Sequence, residues 1–173
     1  MKILAVGSAL VLCAGLAVAQ EPKVLKGSAV TESNLIEALT PQPQFKTRSI
    51  RVTKDEPVKA PSASLLITFE TNSTALTGES KSALDVVARA LAKDQLATYS
   101  FIVEGHADPR GSHERNLQLS QGRADTVREY LVSKHGLKED RLKAVGKGDA
   151  EPLNSKDPTA PENRRVTFVT VTP

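Results

Sequence analysis

The stretch YSFIVEGHADPRGSHERNLQLSQGRA, residues 99–124, changes its period part-way along. At its start Tyr99, Phe101 and Val103 alternate, which puts them on one face of a strand. From residue 116 onward Leu117, Ala124, Val127 and Leu131 recur at helical spacing as far as His135. Gly136 then supplies the left-handed position at which helices commonly stop. Between the two periods lies a charged loop in which Pro109 restricts the backbone and Gly111 permits a tight turn. RLKAVGKG, residues 141–148, reads as the next strand, so a strand–helix–strand unit with a right-handed crossover and parallel neighbours is expected.

Working outward, SLLITFE (64–70) alternates through Leu65, Ile67 and Phe69. Residues 79–93 carry Leu84, Val87, Ala88 and Leu91 at helical spacing, and RRVTFVTV (164–171) reads as the last strand. The predicted fold is α+β, in the order β-α-β-α-β-β, with a four-stranded mixed sheet and helices packed on one face. The polar loop DAEPLNSKDPTAPEN, 149–163, is long for a connection without regular structure, and such loops are usually functional or disordered.

The first 61 residues read differently. Residues 1–19 have Lys2, an uncharged apolar run and Ala17-Val18-Ala19, the pattern of a cleaved secretory signal. Cys13 follows Leu12 within the apolar run, so it is not placed as a lipidated cysteine would be, and cleavage after Ala19 removes it. Thiolate metal sites, disulfides and a cysteine nucleophile then drop out. Residues 20–61 read as a Pro-rich flexible tether, punctuated by Pro22, Pro41, Pro43, Pro57 and Pro61. Within it, SNLIEALTP offers a short helix capped by Ser33, either transient or docked on the domain or a partner. The folded domain is expected over 62–173.

The formal charge is +3, or +2 once Lys2 leaves with the signal. A concentrated basic stripe with stacking aromatics is missing, so nucleic acid is not an expected partner. No Gly-x-Ser-x-Gly elbow or phosphate-binding glycine loop is present. Three readings of the central loop remain. Asp108 at the strand end and Arg123 on the helix face one cleft, where a carboxylate and a planar guanidinium suit a zwitterion. Alternatively, the same two residues form an ion pair with each other. The third reading is a metal-dependent periplasmic hydrolase, with Glu104, His106 and Asp108 alternating on one strand face and His113 joining from the loop.

TFETNSTALT, EGHADPRG, NLQLSQGRADTVREYL, VGKGDAEPLN and ENRRVTF, in this order, closely resemble the OmpA-like peptidoglycan-binding domain. The resemblance covers about residues 62–172, and GHADPRG is most similar to the peptidoglycan-associated lipoprotein branch. It implies a noncatalytic domain, without cofactor or metal, that binds the zwitterionic end of diaminopimelate in the peptidoglycan stem peptide. It matches Asp108 and Arg123 to the ligand-binding pair. It makes Phe69, Asn72, His106, Asn116, Arg164 and Arg165 lining candidates, and Leu119 and Ala124 packing positions. Many members have Tyr where this chain has Arg115. The implied setting is the periplasm, associated with the cell wall or outer membrane. The implied partner is peptidoglycan; the alternative that the tail itself offers is an envelope adaptor, with residues 20–61 binding an outer-membrane or other envelope protein.

Overall fold

The computed structural model describes residues 24–41, 60–70 and 73–172. The secretory signal, Cys13, most of the prolines of the expected tether and Asn72 lie outside the described residues. Five strands form one mixed sheet: β1 (Val24–Leu25), β2 (Ser62–Leu65), β3 (Ser100–His106), β4 (Leu142–Gly148) and β5 (Val166–Val171). Their order is β1-β2-β5-β3-β4, with β5 antiparallel to both its neighbours and the β1–β2 and β3–β4 pairs parallel. Three helices accompany them: α1 (Glu32–Leu39), α2 (Gly78–Leu91) and α3 (His113–His135).

The strand–helix–strand unit β3-α3-β4 has the expected parallel neighbours. The earlier unit does not, because β5 inserts between β2 and β3 and pairs with both. β2 is also shorter than the alternation suggested. It ends at Leu65, and the chain then holds Phe69 only by an isolated bridge to Leu76. The reason is local: Ser80 at the start of α2 accepts the N–H of Thr68 and donates to its carbonyl, each at 2.8 Å, in place of a ladder partner.

One face of the sheet carries the core. Phe101 and Val103 of β3 stand beside Val166 and Phe168 of β5 and Leu65 of β2, all 1% exposed or less. Leu84, Val87 and Leu91 of α2 and Val127 and Leu131 of α3 cover them, each wholly buried. α3 approaches most closely at its N-terminal half, where its sheet-facing stripe is Asn116, Ser120 and Ala124. Leu117, expected in that stripe, is instead 42% exposed, and Leu119 is half-buried. Glycines on the strands make this approach possible. A Cβ at Gly105 would sit 2.2 Å from the Ser120 carbonyl oxygen, and one at Gly146 would sit 2.6 Å from the Gln121 nitrogen. β4 is an edge strand, and α3 also satisfies part of that edge. The Gly146 N–H donates to Gln121 Oε1 at 2.6 Å and the Gly148 N–H to Ser120 Oγ at 2.9 Å.

Two expectations about the N-terminal segment change. Residues 24–41 fold onto the domain, and they add the fifth strand to the expected four. Leu35 and Leu39 of α1 are wholly buried, and the Leu39 carbonyl accepts Thr170 Oγ1 at 2.7 Å. The cap of α1 is Thr31, whose side chain accepts the Asn34 N–H at 3.2 Å, rather than Ser33. Among the described residues no helix is long and apolar enough to cross a membrane.

Candidate functional site

The C-terminal ends of β2 and β3 open on the same edge of the sheet, because both run antiparallel to β5. Asp108 lies just past β3, Phe69 just past β2, and Arg164 just before β5. Arg123 reaches the same corner from the third turn of α3. Its guanidinium carbon stands 4.8 Å from the centre of the Phe69 ring, and its Nε donates to the Ser73 carbonyl at 3.4 Å. The ring and the Ser73 carbonyl together restrain where the guanidinium lies.

Asp108 is only 6% exposed, and its carboxylate is held by two other arginines. Oδ1 accepts the Arg110 backbone N–H at 3.2 Å and Arg110 Nε at 3.1 Å. Oδ2 accepts Arg110 Nη2 at 2.6 Å and Arg164 Nη1 at 2.8 Å. The Arg110 hydrogen bonds, and then that of Arg164, hold the Asp108 carboxyl well below the usual carboxylate range against the opposing effect of burial. Arg123 is shifted down, first by burial and then by the nearby charge of Arg164, with Asp108 acting the other way. Among the described residues Asp108 and Arg123 form no ion pair with each other, so the simple pair is not what this corner contains. The corner presents one ionised carboxylate and three guanidiniums, with Arg123 set back from the other two.

A family model described as the OmpA family matches residues 68–165, more than half of the chain. The chain belongs to the OmpA family. A peptidoglycan-associated lipoprotein of Rhizobium meliloti is 37% identical over 105 residues, which is 60% of this chain and 58% of that protein. Outer membrane protein A of Yersinia pseudotuberculosis is 41% identical over 87 residues, 50% of this chain and 24% of that one. The chain thus matches only part of each curated relative's length. Among solved structures, the peptidoglycan-associated lipoprotein of Burkholderia pseudomallei aligns over 62% of this chain and 89% of its own, with a TM-score of 0.52 and 28% identity. The periplasmic domain of Helicobacter pylori MotB aligns over 68% and 79%, with a TM-score of 0.56 at 20% identity, a likeness of fold. The mixed α+β architecture above is therefore that of OmpA-like domains.

The expected lining of this OmpA-like cleft separates into three groups. Phe69 and Arg164 are brought to Asp108 and Arg123. Asn116 is buried beneath the 108–112 turn, where its side chain lies against Gly111 and donates to Asp149 Oδ2 at 3.4 Å, so it supports the turn from below. His106 and Arg165 belong elsewhere. Arg164 and Arg165 are adjacent just before β5, and only Arg164 turns to the cleft. Arg165 lies on the sheet face away from the helices, where its guanidinium donates to the Glu151 carbonyl at 3.3 Å. With Glu104, Ser64 and Thr167 it lines a polar trough of about 850 Å³ beneath residues 151–156. His106 is buried at the end of that face, 3.8 Å from Glu104, and burial, with Arg165 and Lys147 nearby, pushes its pKa down to about 3.

The same separation removes the hydrolase arrangement. Glu104 lines the trough and His106 lies buried 3.8 Å from its carboxylate, while Asp108 is turned to Arg110 and Arg164, and among the described residues no three potential ligands converge. His113 instead pairs with Asp149, its Nδ1 2.5 Å from Oδ1. The 149–163 loop is ordered around Asn163, which is 1% exposed. Its side chain accepts the Asn154 N–H and donates to the carbonyls of Asn154, Asp157 and Pro158. Asn163 therefore shapes the loop that delivers Arg164. Arg110 was missed in the sequence because an exposed loop arginine looks like a solvated charge. The available signal was its position two residues after an aspartate in a turn.

Proposed function

We propose that this domain binds peptidoglycan non-covalently, taking the zwitterionic end of diaminopimelate in the stem peptide. The ammonium is accepted by Asp108 and the carboxylate by the fork of Arg123, with Phe69 and the Ser73 carbonyl restraining where that fork lies. The observation that carries this reading is a buried, ionised carboxylate and a ring-backed guanidinium that share one corner without pairing. Each charge-assisted hydrogen bond contributes about 1.5–3 kcal/mol. The names of the lipoprotein relatives support wall binding as the use of the fold. The role is attachment or positioning of an envelope protein in the periplasm, after export by a signal cut behind Ala19.

Binding rather than catalysis is favoured by the same electrostatics. A general acid or base works best with a pKa near the operating pH. Asp108 is held far below it, and His106 lies on the other face of the sheet. The test is calorimetric titration of residues 20–173 with meso-diaminopimelate, repeated with Asp108→Ala and Arg123→Ala. Saturable binding by the wild type is expected, weakened at least about 10-fold in each variant with an unchanged circular-dichroism spectrum. A sacculus pull-down extends the test to larger fragments. Equal pull-down by both well-folded variants would sink the site.

A further inference from the structure

The Asp108 carboxylate offers about four acceptor positions, and all four are filled inside the protein. A ligand ammonium cannot reach it until one of these donors leaves. The backbone N–H of Arg110 is fixed by the turn. Arg164 reaches Asp108 from the turn before β5, which the Asn163 side chain holds together, and its side chain is 38% exposed. The Arg110 side chain is 64% exposed, and among the described residues its guanidinium has no partner other than Asp108. It supplies two of the four donors from a side chain free to swing into water. The corner also has cations to spare, with Arg110, Arg123 and Arg164 around one carboxylate, so Asp108 keeps a cationic partner if one of them moves away.

We infer that Arg110 is a built-in competitor for the ammonium subsite: its guanidinium occupies Asp108 in the free protein and is displaced when a ligand ammonium binds. The inference rests on the zwitterion reading above. Displacement exchanges one cation on Asp108 for another, with no change in the charge of the carboxylate. The carboxylate end of the ligand then settles on Arg123, which the exchange leaves undisturbed. Arg110 keeps its guanidinium largely hydrated while it holds the buried carboxylate, and the incoming ammonium replaces the charge compensation that it gives up, so the competition lowers affinity only a few-fold. It also means that Asp108 never faces the cleft as an uncompensated buried charge.

The experiment is calorimetry with the tripeptide L-Ala-γ-D-Glu-meso-diaminopimelate on the wild type, Arg110→Ala and Asp108→Ala. Arg110→Ala is expected to bind about two- to fivefold more tightly than the wild type, and Asp108→Ala not at all. Equal or weaker binding by Arg110→Ala, with the wild type binding and Asp108→Ala silent, would overturn the competitor while leaving the site in place. Absence of binding by both wild type and Arg110→Ala would remove the underlying reading, and the competitor with it. Since Arg110 is exposed, loss of fold is not expected, and a circular-dichroism melt of each variant checks it.

Discussion

His106 and Asp108 are two positions apart, both are buried, and their pKa values both move down for opposite physical reasons. For Asp108 hydrogen bonds from Arg110 and Arg164 stabilise the charged form. A carboxyl depressed in the folded state contributes stability above its unfolded pKa and loses it as pH falls through the folded value. Asp108 therefore keeps its charge, and its grip on an ammonium, under all but strongly acid conditions. For His106 burial disfavours the charged form, and the charges of Arg165 and Lys147 add to the effect. The sign is set by which state takes the proton: below pH 6.5 the unfolded chain binds it and the folded one does not, down to about pH 3. Stability should thus fall by about 2 kcal/mol between pH 7 and pH 5 on account of this residue. Urea unfolding of the wild type and His106→Gln at the two pH values checks it. Parallel pH dependence in the two proteins would show that His106 is not buried neutral.

Between α3 and the sheet, the packing is set by what the strands lack. Gly105 and Gly146 let the α3 backbone come within contact of β3 and β4, and Ser120 and Gln121 then satisfy the edge N–H groups. Gly105→Ala would drive a methyl into the Ser120 carbonyl, whose backbone cannot retreat. A loss of about 3 kcal/mol or more in urea unfolding is expected. Arg123 sits one residue before Ala124 on the same helix, so weaker diaminopimelate binding should accompany that loss. Gly78→Ala, at the start of α2 with open space around it, should be neutral within about 0.5 kcal/mol and serves as the control. The helix itself was legible from its period and from Gly136, whose φ is 67°. Its inward side was legible in Ala124, Val127 and Leu131, all wholly buried, but not in the first two turns, where Leu117 is exposed and Asn116 and Ser120 face inward. A stripe of Asn116, Ser120 and Ala124 looks too polar to be an inward face until the strand glycines opposite it are known.

For the whole molecule, the segment 24–41 changes what counts as the domain. It closes the β2 edge with β1 and covers the far end of the sheet with Leu35 and Leu39. Leu39→Ala should cost about 2–5 kcal/mol, because both the transfer term and the cavity are fully exacted at a wholly buried site. Diaminopimelate affinity should remain at the wild-type value. Leu39 meets β5 at Thr170, and Arg164 of the candidate site stands before the other end of that strand, six residues or about 20 Å away. Thermal unfolding and calorimetry on one preparation would separate the two effects, and a parallel loss of affinity would show that the two ends of the sheet are coupled.

The sequence by itself determined the strand and helix order of 62–172, the turn at 108–112 and the candidacy of Asp108 and Arg123. These are local matters: period, turn chemistry and short motifs are all contained within a few residues of each other. Tertiary structure decided the rest. The place of β5 between β2 and β3, the docking of residues 24–41, and the division of Arg164 from Arg165 and of Asp108 from His106 all depend on which surfaces meet. Those meetings join residues tens of positions apart, where burial and hydrogen-bond partners, rather than spacing along the chain, set the outcome.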